Sequence, residues 1–127
     1  MRVVDTSAWI EWLRASPTAA ALTEHWPNAA DTVVPTLVQL ELAKWLTREV
    51  SEEAADQAIA YTMGCLVAPL ETRIALRAAE ICRTHKLATA DAIIYATALD
   101  LGADCLTCDS HFEGLPDVVL VPKGKSG

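Results

Sequence analysis

The sequence predicts a single α/β domain built on a parallel sheet with helices on both faces. Short valine-rich apolar runs alternate with longer segments of helical periodicity, the pattern of strands buried on both sides. The chain has 127 residues, the usual size of one domain. Its 52% hydrophobic content and positive mean hydropathy supply a full core and leave apolar surface for another subunit.

The strands expected, in order, are Arg2 to Asp5, Thr32 to Val34, Cys65 to Val67, Asp104 to Thr107 and Val118 to Val121. Between the first two, Ser7 is placed to cap a helix carrying Trp9, Ile10 and Leu13, and Pro17 to open a second one running toward Trp26. After Pro35, Leu37, Leu40, Trp45 and Leu46 mark a third helix. Ser51 with Glu53 starts a fourth that reaches about Met63. From Glu71 to His85, Ile74, Ala75, Ala78, Ile81 and Cys82 recur at helical spacing while arginines face elsewhere. Thr89 to Leu101 repeats the design, and Gly102 stands where a glycine ends a helix. Residues 1–122 thus read as one domain and 123–127 as a flexible basic tail.

Seventeen acidic against ten basic residues give a net charge of −7, the wrong sign for gripping nucleic acid by phosphate neutralisation alone. The longest uncharged run, Gln57 to Leu70, falls short of the roughly 20 residues a membrane span needs. Only four residues precede Asp5, too few for the apolar core of a signal peptide, so a cytoplasmic protein with no membrane contact is expected. Cys82, Cys105 and Cys108 with His85 offer zinc-type donors. Cys105 lies in a strand pattern and Cys82 on an apolar helix face, so these thiols are expected to pack as small hydrophobes. The tryptophans Trp9, Trp12, Trp26 and Trp45 are expected in core or subunit packing, with base stacking as the second option.

Four carboxylates stand out. Asp5 ends the first strand, where open parallel sheets place their ligands. Glu41 lies one helical turn from both Leu37 and Trp45, an acid on an apolar face that needs a proton, an ion pair or a cation. Asp91 sits in the first turn of its helix on the side of Ile94, Tyr95 and Ala98, and Asp109 follows the fourth strand. Each alone has an ordinary role as a turn residue, ion-pair partner, dipole complement or N-cap. Together they are more economically explained as one pocket, whose mutual repulsion calls for hard divalent cations. No histidine is expected to take the metal's place, and His111 reads as a loop residue. Arg14, Lys44, Arg48, Arg73, Arg77 and Lys86 could follow a nucleic-acid backbone, but a solvated helix face is the default for each and none is assigned to the site.

The order of these acids resembles the PIN-domain ribonucleases, and among them the VapC-type toxins of toxin–antitoxin pairs. The resemblance is carried by Val4-Asp5-Thr6-Ser7-Ala8-Trp9-Ile10-Glu11, Gln39-Leu40-Glu41-Leu42, Ala90-Asp91-Ala92-Ile93-Ile94-Tyr95-Ala96 and Leu106-Thr107-Cys108-Asp109-Ser110-His111-Phe112, and spans nearly the whole chain. It implies a three-layer α/β/α fold with a central, mainly parallel sheet. It also implies one or two magnesium or manganese ions bound by Asp5 and Asp91, with Glu41 and Asp109 completing the pocket and the hydroxyls of Thr6, Ser7 and Thr107 supporting it. The implied activity is endonucleolytic cleavage of RNA by metal-activated water. The implied partners are a second copy of the chain and a small VapB-type antitoxin, through which alone the protein would reach DNA. The pair Cys105 and Cys108 departs from the family pattern.

Other classes fit less well. A phosphoacceptor receiver domain wants adjacent acids after its first strand, and an aspartate-nucleophile phosphatase wants Asp-x-Asp where this chain has Asp5-Thr6-Ser7. No serine has a histidine partner at a recognisable spacing. The alternative kept open is a catalytically silent PIN-like module that binds RNA or a partner.

Overall fold

The computed structural model describes residues 1–124. Its elements are β1 (Arg2–Val4), α1 (Thr6–Leu13), α2 (Ala19–Thr23), β2 (Thr32–Pro35), α3 (Thr36–Glu49), α4 (Glu52–Met63), β3 (Leu66–Ala68), α5 (Thr72–His85), α6 (Thr89–Asp100), β4 (Asp104–Thr107) and β5 (Val118–Leu120). Short 3₁₀ turns occupy Ala29–Asp31 and Ser110–Phe112. Among the described residues no helix is long and apolar enough to cross a membrane.

The five strands form one sheet in the order β3-β2-β1-β4-β5, with every neighbouring pair parallel. The chain moves from β1 outward through β2 to β3, then returns past β1 to β4. With right-handed crossovers, the rule for parallel strands, this reversal puts helices on both faces and gives the three-layer α/β/α fold. The direction reverses between β1 and β4, whose pairing sets Val4 beside Leu106. Their carboxyl ends flank the crevice that such a reversal opens.

The main core joins Val3, Val4, Val33, Val34, Cys105 and Leu106 of the inner strands to Trp9, Leu42 and Ile94 of the helices. A second cluster packs Ile74, Ala78 and Ile81 of α5 against Tyr95 and Phe112. Trp9, Trp12 and Trp26 pack on one another, Trp12 stacked on Trp26 at 4.2 Å between ring centres and Trp9 edge-on to Trp26 at 5.0 Å.

Several local expectations are corrected. Ser7 does not cap α1. The strand turns directly into the helix at Asp5, whose carbonyl accepts the N–H groups of Ala8 and Trp9, so Ser7 is already inside the first turn. The second helix stops at Thr23, short of Trp26. Leu40 is 58% exposed, because α3 buries the stripe Val38, Leu42 and Leu46. Ala75 is likewise exposed on α5. By contrast Ser51 does cap α4, accepting the Ala54 N–H at 3.0 Å, and Gly102 has the positive φ of 65° that ends α6. In the tail, the Gly124 N–H donates to Thr18 Oγ1, so the chain is tethered there; residues 125–127 of the expected flexible tail lie outside the described residues.

Candidate active site

Asp5 lies at the floor of the crevice and is only 3% exposed. Ser7 Oγ and Thr107 Oγ1 both donate to its Oδ2, at 2.7 and 2.8 Å. The same two hydroxyls accept the backbone N–H groups of Cys108 and Asp109, each at 3.0 Å. Each hydroxyl has one proton, already spent on Asp5, so their polarity is fixed and the 3.2 Å contact between them follows from the shared acceptor. This network ties the end of β1 to the end of β4. Burial nonetheless pushes the Asp5 carboxyl above its ordinary range. The hydroxyl bonds oppose that shift and the nearby Asp109 adds to it.

Glu41 is half-buried on α3 and accepts a hydrogen bond from Thr6 Oγ1 at 2.7 Å. Asp91 projects from the first turn of α6. Its carboxyl is pushed up to about 6, chiefly by burial and then by the charges of Asp5 and Asp109, with His111 opposing and Glu41 adding a smaller increment. Asp109 caps the 3₁₀ turn, accepting the His111 N–H at 2.9 Å, and also faces the crevice, so the N-cap role and the site role coincide.

All four acids line one cavity of about 340 Å³, together with Thr6 and Ser7. His111, expected as a loop residue, lies exposed on the short turn after Asp109. The turn that buries Phe112 folds the preceding imidazole back, bringing its Nδ1 to 3.0 Å from Asp109 Oδ1 and 3.9 Å from Asp91 Oδ2. Donor atoms of Asp91, Asp109 and His111 lie within 4.8 Å of one another. An oxygen-rich donor set in which burial and mutual repulsion hold two carboxyls above their ordinary values fits a hard divalent cation such as magnesium or manganese.

Glu11 and Lys123, not considered for the site from the sequence, also line the cavity, as does Arg14, which was weighed as a backbone contact and left unassigned. Glu11 is 6% exposed, and its Oε2 sits 3.4 Å from Arg14 Nη1, an ion-pair distance without hydrogen-bond geometry. Its signal was the four-residue spacing from Ser7, which puts both on one stripe of α1. Cys105 and Cys108 are buried, as packing thiols would be. Burial holds Cys105 well above the usual thiol range and lifts Cys108 to about 11, so neither is a ready thiolate.

Thr107→Val is expected to cost about 2 kcal/mol of stability, because a buried carboxylate loses a donor and the Asp109 N–H loses its acceptor. The Asp5 carboxyl should rise further, since the lost bond favoured its ionised form. Urea unfolding and a carboxyl-resolved NMR titration check both; unchanged stability would contradict the network.

A carboxylate-lined crevice at the reversal point of a parallel sheet marks an α/β protein with an acidic centre at the strands' carboxyl ends. A model of the PIN domain matches residues 2–118, and the chain belongs to the PIN domain family. Among solved structures it is similar to a toxin–antitoxin complex from Klebsiella pneumoniae, with TM-score 0.83 and 22% identity over 98% of this chain and 100% of that one. It is also similar to VapC20 of Mycobacterium tuberculosis, described as a Sarcin-Ricin loop cleaving toxin, with TM-score 0.79 and 23% identity over 96% and 100%. A third is FitAcB from Neisseria gonorrhoeae, with TM-score 0.71 and 21% identity over 94% and 96%. At these identities the likeness is one of fold. Among curated proteins none matches in sequence.

Proposed function

We propose that the chain is a divalent-metal-dependent endoribonuclease acting as the toxin of a toxin–antitoxin pair in the cytoplasm. The observation that carries this reading is the convergence of Asp5, Glu41, Asp91 and Asp109 on one cavity, from four segments spread across the chain. In this reading Asp5 and Asp91 hold one or two magnesium or manganese ions, and Glu41 and Asp109 complete the pocket. A cation bound there lowers the pKa of water and draws charge from the phosphate during in-line displacement. Ser7 and Thr107 keep Asp5 in one orientation, and Thr6 does the same for Glu41. His111, at the rim, is placed to donate to a phosphate oxygen or to join the ligands.

In this reading the antitoxin reaches the acid crevice from an apolar groove of about 340 Å³ between α1, α3 and α4, lined by Trp12, Leu13, Trp45, Leu46, Val50 and Tyr61, which meets the crevice at Arg14 and Trp45. The groove's apolar lining suits a segment of a VapB-type partner, by which the pair would contact DNA. The exposed Leu66, Leu70 and Leu76 supply apolar surface for a homodimer.

The test is cleavage of total RNA by the purified, partner-free chain with magnesium or manganese, with EDTA, and with Asp5→Asn. Discrete cuts that vanish with chelator and in the variant are expected. No cutting under any condition, with metal binding intact, would leave a PIN-like binding module in its place.

A further inference from the structure

The crevice around the acids continues along α3 into a cleft of about 200 Å³, lined by Thr6, Ile10, Glu41, Lys44, Trp45 and Arg48. Thr6, Ile10, Glu41 and Trp45 also line the acid cavity, so the two spaces are contiguous. Glu41, Lys44 and Arg48 follow one another at three- and four-residue spacing, which puts them on one side of the helix. The cationic positions are about 6 Å apart along the axis, near the separation of consecutive phosphates on an extended strand.

This branch of the crevice and the other carry the same count of charges and differ in what their cations face. The other branch holds Arg14 and Lys123 but also Glu11, which engages Arg14. In the α3 branch Glu41 is the sole acid, already hydrogen-bonded to Thr6. Arg48 Nε contacts Glu49 at 2.8 Å, yet that pair is exposed and such pairs are weak in water, so a phosphate competes for the guanidinium. Each branch sets two cations against one acid, but in the α3 branch that acid is held by the Thr6 hydroxyl, whereas Glu11 lies against Arg14 in the other.

We infer that Lys44 and Arg48 form a phosphate track that leads one strand of RNA along α3 to the acids, with Trp45 as the wall its bases lie against. This rests on the ribonuclease reading and narrows its substrate to unpaired RNA. Asp5 is 3% exposed, and a single strand lying in the cleft brings its phosphates nearer to it than the outer surface of a duplex does. Sequence-tolerant contacts of this kind combine backbone cations with an aromatic face.

The experiment compares the full chain with Lys44→Ala/Arg48→Ala. The probe is a labelled RNA carrying a cut site mapped in total RNA, presented single-stranded and annealed to its complement. The double variant should raise KM for the single strand about tenfold or more and leave kcat within about threefold. Its log–log salt dependence should be shallower by about 1.4, or 0.7 per lost phosphate contact on a single strand. Arg48→Lys alone should preserve the salt slope, and Arg77→Ala/Arg83→Ala on α5 should change nothing. Unchanged KM and slope in the double variant, with the parent still cutting, would overturn the track while the nuclease reading stands. Equal cutting of the duplex would overturn the restriction to unpaired RNA. A parent that cuts neither form would sink the nuclease reading itself.

Discussion

A chain carrying Asp91→Asn is expected to lose RNA cleavage by about three orders of magnitude and yet to melt at a higher temperature than the parent in metal-free buffer at neutral pH. The activity loss follows, in the proposed function, from removing one carboxylate of the four that would hold cationic charge against a phosphate. The stability gain follows from linkage. Folding raises the Asp91 carboxyl from its ordinary 3.8 to about 6, so between these values the folded chain binds more protons than the unfolded one. Stability therefore falls as pH rises through that window, and above it the ionised group is a standing cost. Halved for solvent screening, the cost is about 1–2 kcal/mol. Thermal melts of parent and variant in EDTA from pH 3.5 to 7.5, as a difference, isolate it. A parent that gains stability relative to the variant between pH 4 and 6, or a variant that cuts normally, would contradict this account. Added magnesium or manganese should reverse the order, because binding to the folded parent stabilises it and the variant has lost a ligand.

Trp9→Ala is expected to destabilise the chain by about 3–5 kcal/mol, the largest single core effect anticipated here. Trp9 is 1% exposed and packs edge-on to Trp26 at 5.0 Å and to Tyr61 at 5.8 Å. It holds α1 against the inner strands two residues after Ser7, so its loss would also loosen the hydroxyl that orients Asp5. Against a total stability of about 5–15 kcal/mol for a domain, such a loss leaves a large unfolded fraction. Urea unfolding measures it, and the partly exposed Trp12→Ala should cost less. A loss below about 1 kcal/mol for Trp9→Ala would mean the cluster is not the core it resembles.

The alternation of valine runs with helical periodicity was enough to place all five strands within a residue or two at their ends and to define the parallel class, because buried parallel strands are apolar on both faces. The acids were legible for a related reason. A carboxylate at a strand end or on an apolar helix face is costly to bury without a purpose, and that cost is written locally at Asp5, Glu41, Asp91 and Asp109. Periodicity measures only how apolar a side is, so it put Leu40 inward where α3 buries Val38 and Leu42 instead.

What the tertiary structure alone decided are the contacts between distant segments. Thr107 meets Asp5 from 102 positions away, and Lys123 arrives at the acids from beyond the last strand. His111 stands two residues from Asp109 in sequence, but its approach to Asp91, 3.9 Å between Nδ1 and Oδ2, comes only from α6 meeting the turn after β4. Ser7, expected both as a helix cap and as a hydroxyl supporting the acids, serves only as the second, because the strand-to-helix turn at Asp5 puts it inside the first turn of α1, where its hydroxyl donates to Asp5. Composition and spacing determine which segments fold into strands and helices and which acids must be compensated; the partners of a polar atom are set by where separate segments meet, and that is a property of the packed chain.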